Sequence, residues 1–273
     1  MIINNNIPSL GAQNALYFNT YQMQKSIEKL STGLRINRAS DDAAGLAVSE
    51  NLRAKIRGYK MADRNAQDGI SALQIAEGSL NEVSSILQRM RELAVQAATD
   101  TLTDTERGYL NQEFVELKSE VDRIINVTEF NGQKLLDGSF SNKDFQVGAN
   151  NSTNDRLTVT ISAMSTTSLG IDDDTIDTKT NAQSAISALD DAIDSVNNQR
   201  ATIGAYVNRL EHTIANLKNA QLNTQAAESL IRDVDVGEEM ANFTRLQILA
   251  QTGTAMLAQA NMVPQTVLNL FNG

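Results

Sequence analysis

LQILAQTGTAMLAQANMVPQTVLNLFNG, Leu246 to Gly273, carries no charged side chain. Its apolar residues fall on a 3-4 repeat: Leu246, Leu249, Gly253, Met256, Ala260, Val263, Val267 and Leu270. That spacing is the seam of a helix made to pack along another helix. The opposite face is wettable but neutral, with Gln247, Gln251, Thr254, Asn261, Gln265 and Asn272. A membrane span would not hold so many amides in its middle, because each is costly to leave unsatisfied in lipid. A soluble surface helix would normally show charges. The stretch reads as a helix buried among protein neighbours, with one neutral side toward a wet lumen.

Met1 to Gln24 repeats the pattern without a charge, and Leu16, Thr20, Met23, Ile27, Leu30 and Leu34 make a second seam. The two ends are expected to pair with each other. Two helices alone do not bury two seams and two amide faces, so other copies of the chain are expected to complete them.

The remaining composition excludes more than it assigns. Among 273 residues there are 33 acidic and 23 basic side chains, a net charge of -10, which argues against nucleic-acid binding as the main task. Aromatics make up 4% and Trp is absent, so the apolar content suits helix seams. The two prolines, Pro8 and Pro264, lie in the uncharged ends, which permits long uninterrupted helices between them. Cysteine is absent, so disulfides and thiolate chemistry are excluded. MIINNNIPSL lacks the basic n-region and apolar run of a secretory signal, so export would take another route.

The catalytic inventory is poor. His212, flanked by Glu211 on an expected helix, is the lone histidine and reads as a surface residue. No glycine-rich phosphate loop appears. Asp172, Asp173, Asp174 and Asp177 resemble the start of a calcium loop but lack its central glycine and terminal Glu spacing, so they read as solvated linker. Sequons at Asn126, Asn150, Asn151 and Asn242 are short patterns in an Asn-rich chain. No catalytic residue, cofactor or metal ligand is assigned, and the chain does not read as an enzyme.

Taken in order, Lys29 to Ser49 (KLSTGLRINRASDDAAGLAVS) is a small-residue joint, with Gly33 and Gly45 weakening helix continuity and Ser40 placed as an N-cap. Residues 46–98 carry the longest regular pattern, from Ala66 and Gly69 through Leu73, Leu80, Leu87 and Met90 to Ala97. After a break at Thr99 to Asp104, capped by Thr103 or Asp104, a shorter helix follows on Leu110, Phe114, Leu117, Val121 and Ile124. Beyond the turn dipeptide Asn131-Gly132 the period changes to two, and Phe145 and Val147 against Leu157, Val159 and Ile161 predict a β-hairpin near 140–162. Residues 162–180 read as a polar linker. A returning helix over 181–228 follows on Ile186, Leu189, Ile193, Val196, Ile203, Val207, Leu210, Ile214 and Leu217. The expected fold is mainly α: a long antiparallel helical bundle or coiled-coil rod with one small hairpin at its tip. The N- and C-terminal helices (1–44 and 229–273) pair as a second domain beside the rod of 45–228.

Four blocks carry a family resemblance: LSTGLRINRASDDAAGLAVSE from Leu30, QDGISALQIAEGSLNEVSSILQRMRELAVQAA from Gln67, FNGQKLL from Phe130, and nearly all of Ser229 to Phe271. Together they resemble a bacterial flagellin in a minimal form, without the variable outer domains. That resemblance implies a subunit of a helical, extracellular flagellar filament for motility, its terminal helices lining a central channel and its rod forming the surrounding tube. It implies secretion without a cleaved signal and partners beyond copies of the chain. These are the filament cap, hook-filament junction proteins, an export chaperone at the C-terminus and the animal innate receptor for flagellin. Neither nucleic acid nor membrane is among them. By the same resemblance Arg89, Leu93 and Glu113 match the patch that receptor recognises. Their spacing puts Arg89 and Leu93 one turn apart, off the main seam, as an exposed stripe with Glu113 beside it.

Overall fold

In this computed structural model the backbone is described for residues 5–271 and the side chains for 5–263. Val267 and Leu270 of the expected seam, with Gln265 and Asn272 of its polar face, lie outside the described side chains. The elements run α1 (Ile7–Thr32), α2 (Ala43–Ala97), α3 (Asp104–Val127), β1 (Glu129–Phe130), β2 (Gln133–Lys134), β3 (Lys143–Gln146), β4 (Arg156–Val159), α4 (Thr166–Leu169), α5 (Lys179–Arg232) and α6 (Val236–Phe271). The chain is mainly helical, as its periodicity predicts. It forms two compact units, one of Lys55–Leu222 and one of Met1–Ala54 with Asn223–Gly273, and the division falls inside α2 and α5 rather than at the loops.

The larger unit holds the core. Leu73, Leu80, Leu87 and Met90 of α2 bury their side chains with Phe114 and Val121 of α3 and Leu189, Val196, Ile203 and Leu210 of α5. Small residues at Ala66, Ala76, Ala94, Ala182, Ala185 and Ala192 fill the same cluster and permit close helix approach. Thr103 caps α3 through a capping box with Glu106, whose carboxylate accepts from the Thr103 backbone N–H at 2.7 Å. The C-terminus of α2 is closed by Arg107, a buried side chain that donates to the carbonyls of Ala97 (2.9 Å) and Thr99 (2.8 Å). Free carbonyls at a helix end need such a donor.

Beyond α3, β3 and β4 pair antiparallel with Phe145 opposite Leu157, the hairpin that the alternation predicts. A second, smaller hairpin joins β1 to β2. Its turn is Asn131-Gly132, with φ of 50° and 75°, the pair of positive angles a type I′ turn requires. The flanking runs are too short to show an alternation, so only the turn was visible in sequence.

Three local expectations are corrected. Ser40 does not cap α2. Asp42 does, accepting from Gly45 N–H at 2.8 Å. Gly45 is a matter of space rather than of broken continuity: a Cβ there would lie 2.3 Å from Asp42 Oδ2 and 2.9 Å from Ile36 Cδ1. The stretch 162–180 is no solvated linker, since Met164, Leu169, Ile171 and Ile176 are all buried in the core. Thr166 anchors it by donating its hydroxyl to Asp122 at 2.7 Å, and Ile176 N–H donates to Asn111 at 2.9 Å. Burial pushes the Asp174 carboxyl above the usual range. The apolar residues there have no fixed spacing because turns and the single short helix α4, not one long regular element, deliver them.

The third correction is Leu93, which is 1% exposed and belongs to the core, not to an exposed stripe. Both α3 and α5 cover α2, so its buried arc widens past a single seam and takes in Leu93 beside Ala94.

Candidate functional site

In the smaller unit α1 packs against α6, so the two uncharged ends do pair. The pairing is antiparallel. Asn6 opens α1 by accepting from Ser9 N–H at 3.2 Å, and the same side chain donates to the Ala260 carbonyl at 2.9 Å. Ser9 Oγ donates to Asn261 at 2.7 Å, and toward the other end Ser26 Oγ donates to Glu239 at 2.6 Å. Leu16 lies over Gly253, where a Cβ would come within 3.3 Å of Leu16 Cδ1. The small residues Gly253 and Ala260 therefore mark the close approach of the two backbones.

The seam residues divide into two sets. Leu16, Met23, Leu30 and Leu34, with Leu246, Gly253 and Ala260, are half-buried. Ile27, Leu249, Met256 and Val263 face solvent, Met256 most of all. On α6 the half-buried line runs Leu246, Ala250, Gly253, Leu257, Ala260, and Ala250 and Leu257 were not singled out from sequence. On α1 Asn19 and Thr20 are both half-buried, and Ser26 in place of Ile27 is the tightest position and the one fully buried. Each helix carries two overlapping 3-4 lines that share three members. A single partner covers one line, and the smaller side chains allow the closer approach. The signal for the second line was present, since Ala250 and Leu257 continue a 4-3 step from the shared residues.

What the pairing leaves over is a set of exposed apolar side chains on the charge-free parts of the two helices. Ile7, Leu10, Tyr17, Phe18 and Tyr21 of α1 and Ile248, Leu249, Met256, Met262 and Val263 of α6 are all exposed large apolar side chains. So many large apolar side chains left open on two paired helices make this face the candidate interaction site. Among the described residues no helix is long and apolar enough to cross a membrane.

The two joints that end these helices are clasped together. Gly33 closes α1 in the left-handed region at φ 72°, its carbonyl accepts from Val234 N–H at 3.1 Å, and Arg35 N–H donates to the Arg232 carbonyl at 2.7 Å. Arg232 and Arg53 reach Glu50 and Glu228, and Arg38 donates to Glu28 at 3.1 Å. Asp41 accepts from Arg38 N–H (3.0 Å) and from Lys25 Nζ (3.1 Å), and these bonds hold its carboxyl below the usual range. Glu50 is held down in the same way by the Arg232 guanidinium.

In the larger unit, Arg89 and Glu113 come together as a forked pair, with Nε and Nη2 donating to Glu113 Oε1 at 3.0 and 2.9 Å. The Glu113 carboxylate raises the Arg89 pKa. Leu93 is in the core beneath. His212 is exposed, and among the described residues no group of three metal-binding side chains gathers. Clefts of about 350 and 490 Å³ flank the hairpins, lined in one case by Tyr59, Arg156 and Arg209 and in the other by Phe130, Phe140 and Phe145. Neither sets a nucleophile beside a base, the pairing that covalent catalysis requires.

Comparison with known proteins identifies the family. The profile of the bacterial flagellin N-terminal helical region matches residues 3–141, and that of the flagellin C-terminal helical region matches 186–271. A flagellin of Halalkalibacterium halodurans is 53% identical over 271 residues, covering 99% of this chain and 100% of that protein. A flagellin of Bacillus subtilis is 46% identical, again over 99% of this chain and 100% of its own length. A crystal structure of Bacillus cereus flagellin superposes with a TM-score of 0.51 at 34% identity, over 56% of this chain and 88% of that one.

Proposed function

The chain belongs to the bacterial flagellins, here in a minimal form, and we propose that its two units divide the work of a helical flagellar filament. The smaller unit supplies the channel lining, and the larger unit supplies filament wall. The observation that carries this reading is the set of exposed apolar side chains on α1 and α6, left open among the described residues. Apolar surfaces of different make-up on the two paired helices suit heterologous contacts between copies, and such contacts generate a helix where they do not close into a ring.

The neutral polar side chains of α6, the amides of Gln247 and Gln251 and the hydroxyl of Thr254 among them, suit a lumen through which other copies of the chain pass. A charged wall would hold oppositely charged segments of each passing chain, and amides do not. The extracellular filament is reached by export of the unfolded chain without removal of a signal, and intact mass of filament protein tests that step. A chaperone at the C-terminus, the cap and junction proteins at the filament ends, and the innate receptor at Arg89 and Glu113 complete the proposed partners.

Electron microscopy of concentrated protein is the test of assembly. Filaments with a central channel are expected. Discrete dimers joined only through α1 and α6 would instead make this a secreted binding rod.

A further inference from the structure

We propose that Met240, Met256 and Met262 form an oxidation-sensitive site on the assembly surface, through which a peroxide withdraws the free subunit from filament growth. This rests on the reading of that surface as the assembly element.

The chain contains no cysteine and no tryptophan, so no thiolate stands ready to consume a peroxide first. Thioethers become its softest two-electron reductants, and the fold sorts them sharply. Met90 and Met164 of the larger unit are 0% and 5% exposed. Met256, Met262 and Met240 are 63%, 53% and 47% exposed. All three lie on α6, two of them within the charge-free stretch and beside Ile248, Leu249 and Val263. Only Met61, on α2, is comparably open among the described residues.

In the reaction the thioether sulfur attacks one oxygen of hydrogen peroxide. An S–O bond forms, the O–O bond breaks and hydroxide leaves, taking the remaining proton to become water. Sulfur is oxidised by two electrons and the peroxide is reduced. The product sulfoxide is polar and stiffer than the thioether, so it opposes burial in an apolar contact. Once the helix is packed in a filament the same sulfurs are covered, and growth itself protects them.

The test uses full-length protein. Monomer is partially oxidised with hydrogen peroxide, quenched and offered to sheared filament ends. Filaments are then pelleted, and sulfoxide is mapped by peptide mass spectrometry in pellet and supernatant. Met240, Met256 and Met262 should oxidise well before Met90 and Met164, and their sulfoxide fractions should be several-fold lower in the pellet. Equal fractions in the two pools, or oxidation of Met90 as fast as Met256, would overturn the proposal. A variant with Met240→Leu, Met256→Leu and Met262→Leu is measured against its own untreated growth. Its treated-to-untreated ratio should rise toward one, and a ratio as low as that of wild type would place the sensitivity elsewhere. Failure of untreated wild-type monomer to grow on the seeds would refute the assembly reading itself. A failure confined to the treated comparison refutes only this inference.

Discussion

Gly253→Asp is the sharpest test of the terminal helices, because the structure sets its size. A Cβ at Gly253 meets Leu16 Cδ1 at 3.3 Å and Leu16 Cβ at 3.7 Å, so the remaining carboxylate atoms have no room toward α1. Displacing Leu16 is an overpacking change costing roughly 1–3 kcal/mol. The carboxylate also enters a stretch with no cation from Leu246 to Gly273, and a charge buried without a partner costs several kcal/mol more. Against this, Asp gains only about 0.3 kcal/mol over Gly in helix propensity. These terms together exceed about 3 kcal/mol per added subunit, and even that much corresponds to a critical concentration raised roughly 100-fold, since 1.4 kcal/mol is tenfold. Gly253→Ala is the control: its mild overpacking is set against a propensity gain of about 1 kcal/mol, so the shift should stay within about tenfold. Seeded elongation followed by pelleting over a range of concentrations reads both numbers, and circular dichroism checks that the larger unit still melts cooperatively. An unchanged critical concentration for Gly253→Asp would show that the approach of α1 to α6 plays no part in assembly, and would leave the tail an export or chaperone segment only.

Hydrogen exchange on the free subunit should show weak protection over residues 7–32 and 240–263 and strong protection over 66–217, and uniform protection would refute the division into a marginal and a stable unit. Gly45→Ala forces a new Cβ against Asp42 and Ile36, so it should alter filament curvature in images more than it lowers the melting temperature of the larger unit. Arg89→Ala with Glu113→Ala should weaken receptor activation by monomer while the fold is kept, whereas Leu93→Ala removes a core side chain and should cost about 2–5 kcal/mol in melting experiments. Because folding depresses the Asp41 pKa, its contribution is complete above the ordinary carboxylate range and is lost as pH falls through the depressed value. Asp41→Asn should therefore flatten the acid limb of the smaller unit's stability, and an unaltered limb would assign it to other carboxylates.

How much of this was legible from residues depends on the kind of element. The long helices were, because each repeats one period for many turns, and Leu73 to Ala97 gave both the helix and its buried line. The hairpin at Phe145 and Leu157 was legible for the same reason, with period two. Two things were not. The packed stretch from Met164 to Ile176 delivers its apolar side chains through turns and the short helix α4, and aperiodic delivery leaves no pattern to read. The choice between Leu249 and Ala250, or Met256 and Leu257, was not fixed either, because both lines on α6 satisfy a 3-4 repeat. Only the position of the partner helix decides between them, and the half-burial of Ala250 and Leu257 beside the exposed Leu249 and Met256 shows where it lies. Leu93 failed for a related reason: one seam was assumed where two neighbours cover the helix.

The ambiguity on α6 is itself informative about assembly. A helix with one partner needs one seam, and a second seam of larger side chains on the same helix has no use in the isolated chain. Among the described residues of the smaller unit, Ile36 is the only apolar side chain that is fully buried. The smaller unit thus orders many residues of α1 and α6 while burying little, and ordering each residue costs about 1–2 kcal/mol in backbone entropy alone. Isolated helices recover too little of this from their own hydrogen bonds, since most helix stability in proteins comes from packing an apolar face. On the proposed assembly, the exposed Leu249, Met256 and Val263 and the exposed Ile7, Leu10 and Phe18 are the surface from which the deficit would be made up when other copies arrive. On that proposal the two lines of α6 separate two tasks: the half-buried line through Ala250 and Leu257 packs within one subunit, and the exposed line through Leu249 and Met256 is left for the next.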